Sequence, residues 1–175
     1  MLVMLIVVSG TVASGKSTLS RALADEYERR GHTAAVIDLD LVYEMIGGVG
    51  VKKDDPAKWQ LARRTSGVLA ANFEREGIDV VIVDGEFLTA ADRSEFTTAT
   101  PDSDAPLYVT LRVSLEEALR RVASDPDRTF SRDQGFLAQH YASAPSETLH
   151  GDYVFEADAS TPAELARAVA DLASP

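Results

Sequence analysis

The sequence contains no cysteine. This absence excludes disulfide bonds, a thiol nucleophile and a cysteine-ligated metal, and it is typical of proteins in a reducing cytosol, so we expect a cytoplasmic location. Histidine is also scarce, with three residues in the chain. His140 has apolar neighbours and is expected to pack rather than to catalyse, whereas His32 and His150 have no cluster around them. We therefore expect no zinc site.

Basic residues are few, because 17 lysines and arginines stand against 28 aspartates and glutamates, which gives a formal net charge of −11. Nucleic acids and anionic membrane surfaces both require a basic patch, so this charge argues against either as a partner. Long apolar runs are missing too, and none is long enough to span a membrane. The apolar start, Met1 to Val8, lacks the basic segment of a signal peptide, and we expect it to be kept in the fold.

What the chain does contain is a regular alternation of strand and helix patterns over 175 residues, a length that suggests a single domain, 1–175. Five segments have the apolar, β-branched character of buried strands: 2–8, 33–37, 78–83, 107–113 and 152–156. Helix patterns separate them. The alternation predicts a three-layer α/β/α fold with a five-stranded parallel sheet.

The stretch Gly10-Thr11-Val12-Ala13-Ser14-Gly15-Lys16-Ser17, followed by Thr18, matches the P-loop pattern G-x-x-x-x-G-K-[ST] at every fixed position. It lies between the first strand and a helix expected from Lys16 to about Arg30, which is the context that the pattern requires. Glycine lets successive backbone N–H groups turn toward one point, and the helix N-terminus adds partial positive charge. We expect Lys16 to reach the β- and γ-phosphates of a nucleotide and Ser17 to bind Mg²⁺.

Two acids, Asp38 and Asp40, follow the second strand. On an extended chain, residues two apart point to the same side, and ligands of open α/β sheets bind at the carboxyl ends of the strands. The pair is therefore a candidate for the base and the Mg²⁺ partner of phosphoryl transfer. The alternative is structural, since aspartate is also favoured in turns and at helix N-caps.

A third acid, Asp84, ends the continuous β-branched run of the third strand. An acid in this position is typical of a Walker B residue, which holds Mg²⁺ or its water shell. Strand ends also carry aspartate simply to begin a turn, and that reading stays open. Glu86 follows two residues later and is a weaker candidate for the substrate site.

The segment 41–76 is the predicted substrate-binding region, with a short helix from Leu41 to Ile46 and a longer one from Asp55 to about Glu76. In the longer helix, the predicted core stripe consists of Leu61, Val68, Leu69 and Phe73.

Trp59, Arg63 and Ser66 of the same helix lie on a different stripe. They line a substrate pocket in one interpretation and form a solvated face with a Trp–Arg contact in the other. Glu44, Trp59 and Arg63 are the predicted acceptor contacts of the region.

Four arginines, Arg120, Arg121, Arg128 and Arg132, lie within thirteen residues of an otherwise acidic chain. Solvent exposure explains any one of them, but several together late in such a fold are typical of a mobile lid. We predict a lid over about 124–134 whose arginines neutralise charge that develops in the transition state.

These motifs together resemble the small P-loop kinases. Asp38-Leu39-Asp40, with Glu44 and Gly47 following, is similar to shikimate kinase. A second resemblance, to chloramphenicol phosphotransferase, covers most of the chain loosely. It rests on Val83-Asp84-Gly85-Glu86-Phe87-Leu88, the helix carrying Arg121, and Asp127-Arg128.

The resemblance implies that the P-loop residues and Thr18 hold ATP and Mg²⁺. It implies that Asp40 is the base facing the acceptor hydroxyl, and that Asp38 helps with Mg²⁺ or shares that role. It also implies that Arg121 lies near the adenine or the phosphates and that Arg128 belongs to the lid.

The chain departs from both relatives. Shikimate kinases have a glycine triplet after the third strand, where this chain has Asp84-Gly85-Glu86. The chloramphenicol enzyme has a second acid at the position of Gly85 and a lid arginine at that of Asp125. The implied function is therefore ATP-dependent phosphorylation of a hydroxyl on a small molecule, a metabolite or an antibiotic.

Two other functions stay open. A nucleoside or nucleotide kinase requires aromatics and arginines between Leu41 and Asn72, where the sequence has one tryptophan. A switch or ATPase that binds ATP without an acceptor requires no base such as the Asp38/Asp40 pair.

Overall fold

The computed structural model describes residues 4–48, 53–100, 105–124, 134–142 and 151–173. Five strands and seven helices lie in that part of the chain. The strands are β1 (Met4–Gly10), β2 (Ala34–Asp38), β3 (Val80–Gly85), β4 (Leu107–Arg112) and β5 (Tyr153–Glu156). The helices are α1 (Lys16–Arg29), α2 (Leu39–Gly47), α3 (Pro56–Arg75), α4 (Ala90–Thr97), α5 (Leu115–Ser124), α6 (Gln134–Ala142) and α7 (Pro162–Leu172).

The strands form one sheet in the order β2-β3-β1-β4-β5, and every pair in it is parallel. The predicted five-stranded parallel sheet is therefore confirmed. In the register, Asp38 lies opposite Asp84, and Ser9 lies opposite Gly85. The carboxyl ends of β1, β2 and β3 consequently meet at one edge, where Asp38, Asp84 and the start of the P-loop lie.

Alternate residues of β1 enter two separate cores, one on each face of the sheet. Ile6 and Val8 pack in the core that includes residues of α1 and α7, whereas Leu5 and Val7 pack in the core that includes residues of α2, α3 and α4. Two buried faces are the expected surroundings of a parallel strand. Within the described ranges, no helix is long and apolar enough to cross a membrane.

The predicted core stripe of α3 is wrong in part. Leu61 and Val68 are 41% and 59% exposed, whereas the buried face of α3 carries the small residues Ala62, Ser66, Gly67 and Ala70. The reason is close approach by α4, because a Cβ built on Gly67 would lie 2.5 Å from the carbonyl oxygen of Phe96. The hydroxyl of buried Ser66 donates to the carbonyl of Ala62 at 2.9 Å, so its polarity is satisfied within the helix.

We expect Gly67→Ala to lower the free energy of unfolding by about 1–3 kcal/mol, because the added methyl group overlaps the backbone of α4. The loss should appear although alanine is the better helix former. Urea denaturation followed by circular dichroism measures it. The neighbouring exposed substitution Val68→Ala is the control and should change stability by about 0.5 kcal/mol or less. A larger loss for Val68→Ala than for Gly67→Ala would contradict the assigned core face.

Candidate active site

The P-loop has the backbone shape that phosphate binding requires. Gly10 has no room for a side chain, because a Cβ there would lie 2.6 Å from the carbonyl oxygen of Leu111 and 2.7 Å from Ser14 Oγ. Gly15 and Ala13 both have positive φ angles, 96° and 63°. Gly15 is also the N-cap of α1 and offers no side chain to cap its first turn. The N–H groups at the start of α1 are therefore available to an anion.

Lys16 and Ser17, which follow the loop, contact two different parts of the site. The Lys16 ammonium donates to the carbonyl oxygens of Gly10 and Thr11, each at 2.9 Å, so its charge lies against the loop. The Ser17 hydroxyl donates to Asp84 Oδ1 at 3.0 Å. The start of α1 thus contacts the end of β3.

Asp84 is the most deeply buried acid of the site, at 1% exposure. Burial and the neighbouring charge of Asp38 raise its pKa to about 6. Among the described residues, Asp84 Oδ2 is a buried oxygen with no hydrogen-bond partner. A cation bound beside this oxygen would offset the cost of burying the carboxylate, and carboxylate and hydroxyl oxygens are ligands that Mg²⁺ accepts. Ser17 and Asp84 therefore fit the predicted Mg²⁺ site, and the part of Asp38 in it stays a prediction.

The expected extended arrangement of Asp38 and Asp40 is wrong. The chain enters α2 directly after Asp38, whose Oδ1 accepts from the N–H groups of Asp40 at 2.9 Å and Leu41 at 3.3 Å. Asp38 is thus the N-cap of α2, as the structural alternative proposed, while its charge also acts on Asp84. Asp40 lies in the first turn of α2, and its side chain is 52% exposed.

Asp40 and Glu44 share a partner that the sequence analysis missed. Lys53 Nζ lies 2.8 Å from Asp40 Oδ1 and 3.1 Å from Glu44 Oε1, and its side chain is largely covered. Burial lowers the pKa of Lys53, but the two carboxylates outweigh burial and raise the pKa overall. Asp40 and Glu44 are four residues apart on one helix face, and that spacing was the signal that a shared cation can bind there.

Trp59 packs on α2 and forms a hydrogen bond with the backbone of Lys53. Its ring packs on Tyr43 with centroids 4.4 Å apart, and its indole N–H donates to the carbonyl of Lys53 at 3.1 Å. The Tyr43 hydroxyl accepts from the N–H of Asp55 at 3.3 Å. The short segment that begins α3 is therefore fixed against α2, and a direct contact of Trp59 with the acceptor stays a prediction.

Arg63 is engaged in a network of its own. Its guanidinium lies 3.0 Å from both Asp92 Oδ1 and Glu95 Oε2, and it donates to the carbonyl of Glu86 at 3.4 Å. The side chain is 13% exposed. These contacts join α3, α4 and the end of β3. These contacts do not test whether Arg63 binds the acceptor, which stays a prediction.

Glu86 contacts His140 of α6, whose Nε2 lies 3.2 Å from Glu86 Oε1. Burial raises the pKa of Glu86, but the His140 hydrogen bond and the charge of Lys16 outweigh burial, so the pKa lies below its usual value. His140 also stacks on Phe136, in line with the expected packing role. The sequence analysis did not pair the two residues, because nothing in their local patterns connects them.

Arg121 lies at the P-loop, on the face of α5 that meets it. Its guanidinium donates to Glu117 Oε1 at 2.8 Å, to the carbonyl oxygen of Ser14 at 2.9 Å, and to the carbonyl oxygen of Ala157. Arg128 and Arg132, and most of the predicted lid over 124–134, lie outside the described residues.

A family model described as "AAA domain" matches residues 5–140, and the chain belongs to this family. No curated protein is significantly similar to the chain in sequence.

Among solved structures, the fold is similar to a shikimate kinase from Bacteroides thetaiotaomicron, with 18% identity, a TM-score of 0.67 and 97% of each chain covered. It is also similar to a Mycobacterium tuberculosis APS kinase in complex with AMPPNP and APS, with 18% identity, a TM-score of 0.67 and 99% of each chain covered. A sugar kinase from a Janibacter species has 19% identity and a TM-score of 0.66, and the match covers 97% of this chain and 93% of that one. The fold is therefore that of the small P-loop kinases, while the resemblance to chloramphenicol phosphotransferase stays a prediction.

We expect Asp84→Asn to remove a cost of burying an ionised carboxylate, which increases as the pH rises. The folded pKa of about 6 lies above the ordinary value of 3.8, so the buried carboxyl costs nothing when protonated and opposes folding as pH rises through 6. The stability of the Asn variant relative to the parent should therefore rise by about 2 kcal/mol between pH 4 and pH 7.5. Urea denaturation at four pH values measures the difference.

Asp79→Asn is the matched control for this pH series. Backbone and side-chain hydrogen bonds from Thr33 lower the pKa of Asp79, so its carboxylate favours folding at neutral pH. Because this titration falls at and below the ordinary value of 3.8, the stability of the Asp79 variant relative to the parent should stay nearly constant between pH 4 and pH 7.5. A stability difference for Asp84→Asn that does not change between pH 4 and 7.5 would contradict the assigned burial.

Proposed function

We propose that this protein is a phosphotransferase that uses ATP and Mg²⁺ to phosphorylate a hydroxyl group of a small molecule, either a metabolite or an antibiotic. The observation that carries the proposal is the contact of the start of α1, directly after the P-loop, with the buried Asp84, one of whose oxygens has no partner, while the exposed Asp40 lies in the first turn of the helix that follows the neighbouring strand. Membership of the AAA domain family and a fold shared with kinases support it.

The nucleotide half of the proposed site is built from the P-loop. Its backbone N–H groups, those at the start of α1 and the Lys16 ammonium bind the phosphates of ATP, and Arg121 lies behind the loop. Ser17 and Asp84, with Asp38 beside them, hold Mg²⁺, which neutralises phosphate charge when bound. Catalysis of phosphoryl transfer depends mainly on positioning the reactants and neutralising charge, and these residues do both.

The acceptor half is built on α2. Asp40 accepts the proton of the acceptor hydroxyl as the new P–O bond forms, and its carboxylate, which is paired with Lys53, is half exposed and accessible from the solvent side. Lys53 holds the carboxylates of Asp40 and Glu44 in one orientation. The acceptor binds between the segment 41–76 and the strand ends, with Glu86 as a further proposed contact. The predicted role of Arg128 in neutralising the transferred phosphoryl group falls outside the described residues.

We expect Lys16→Ala to weaken ATP binding about tenfold or more, because the variant loses charge-assisted hydrogen bonds to the phosphates. Isothermal titration calorimetry with Mg·ATP measures the dissociation constant. Lys58→Ala is the matched control, since Lys58 is a half-buried lysine on α3 whose ion pair with Asp55 is 4.0 Å long. Equal ATP affinity in the Lys16 variant and the parent would contradict the proposed nucleotide site.

We expect Asp40→Asn to lower phosphoryl transfer about 100-fold or more while ATP affinity stays unchanged, because the amide cannot accept the hydroxyl proton. The assay incubates the purified protein with Mg·ATP and a panel of hydroxylated metabolites and antibiotics, and detects the phosphorylated product by mass. Asp25→Asn, a change at an exposed acid on α1, is the control.

Two results of this assay would favour a different function. ATP hydrolysis that no compound stimulates would favour an ATPase or switch, and phosphorylation of nucleosides or nucleotides would favour a nucleotide kinase. Full transfer by the Asp40 variant would refute the role of Asp40 as the base.

A further inference from the structure

One residue of the P-loop has a backbone conformation that is energetically unfavourable for a residue with a side chain. Ala13 has a φ of 63° and is the only non-glycine residue with a positive φ among the described residues. A side chain in this region costs energy that the surrounding structure must offset. The carbonyl groups on both sides of Ala13 are held by side chains from the second half of the chain. The Tyr141 hydroxyl donates to Val12 O and the Arg121 guanidinium to Ser14 O, each at 2.9 Å.

These carbonyl contacts also decide where the N–H groups of the loop point. Each peptide unit is planar and trans, so its carbonyl and its N–H point in opposite directions. A contact that holds Val12 O toward α6 therefore turns the N–H of Ala13 the other way. In the same way, the hydrogen bond that holds Ser14 O toward Arg121 turns the N–H of Gly15 away from Arg121.

Tyr141 uses both hydrogen-bonding functions of its hydroxyl on the loop. It donates to Val12 O and accepts from Thr11 Oγ1 at 3.0 Å. Burial raises the pKa of Tyr141, so the hydroxyl keeps its donor proton at neutral pH. One side chain thus fixes two successive residues of the loop.

Apolar packing holds α6 in place for this contact. Ala13 is buried in a small cluster with Ala118, Val122 and Leu137, and Val12 packs against the same cluster. The neighbouring residue of α6, His140, binds Glu86 at the end of β3. The end of α6 is therefore anchored both to the P-loop and to the third strand.

We infer that Tyr141 is a positioning residue for nucleotide binding, which holds the P-loop in its phosphate-binding shape from α6. The inference rests on the proposed function, since it requires that the loop bind a nucleotide. Tyr141 acts through Thr11 and Val12 and does not itself bind the phosphates.

The test measures binding of Mg·ATP and of Mg·tripolyphosphate to Tyr141→Phe. We expect both dissociation constants to rise by the same factor, about three- to tenfold, which is the size expected for losing one or two neutral hydrogen bonds. Equal factors are expected because the affected groups face the phosphates rather than the base. Amide hydrogen exchange of residues 11–15 should accelerate as well, whereas that of β1 should not.

Tyr27→Phe is the matched control. The Tyr27 hydroxyl is buried on α1 and donates to the carbonyl oxygen of Ala173 at 2.9 Å, far along the helix from the P-loop. This variant should lose stability without losing affinity for either ligand. Thr11→Val removes the same Thr11–Tyr141 hydrogen bond from the other side and should reproduce the accelerated exchange.

The outcomes separate the inference from the proposed function. Failure of the parent protein to bind Mg·ATP would refute the proposed function. Parent binding with unchanged affinity and unchanged exchange in the Tyr141 variant would overturn the inference alone. An equal loss of affinity in the Tyr27 and Tyr141 variants would also overturn it, because general destabilisation would then explain both. If Tyr141→Phe does not fold, unchanged exchange of residues 11–15 in Thr11→Val decides against the inference.

Discussion

The parallel pairing of β1 with β3 is the constraint on which the rest of the site depends. It places the strand that leads into the P-loop beside the strand that ends in Asp84, so that Ser17 and Asp84 meet across 67 positions of sequence. The pairing of β2 with β3 then adds Asp38 at the same edge. No local feature of the chain brings these groups together, and a shift of one residue in either pairing would turn their side chains to the opposite face.

The electrostatics of the site follow from that register. Two acids on neighbouring strand ends, one of them almost fully buried, form a negative centre whose cost appears as the raised pKa of Asp84. Lys16 is a nearby positive charge that offsets only part of this effect on the pKa of Asp84, and its ammonium donates to the carbonyl oxygens of Gly10 and Thr11. The folded chain therefore carries an unbalanced negative site at the start of α1, which is the condition under which a divalent cation binds favourably.

Local patterns predicted the strands, the parallel sheet and the P-loop because each depends on residues close in sequence. Continuous β-branched runs became β1 and β3, and the glycine spacing gave the loop between β1 and α1. The buried face of α3 was mispredicted because the close contact with α4 selects small residues, and a hydropathy pattern does not report the size of the space available. The partners of Asp40 and Glu86 were also missed. Lys53 and His140 reach those acids only after the chain has folded, and neither has a sequence pattern that identifies its partner.

Asp38 performs two tasks whose energies have opposite signs. Its carboxylate caps α2, and a cap of this kind stabilises a protein by about 0.5–2 kcal/mol. Its charge also raises the pKa of Asp84 and so opposes folding at neutral pH. Replacing Asp38 by alanine removes both effects together, and because their signs are opposite they offset each other in part. A nearly neutral change in stability at this position is therefore compatible with an important residue, and tolerance of substitutions in a stability screen would underestimate its role at the site.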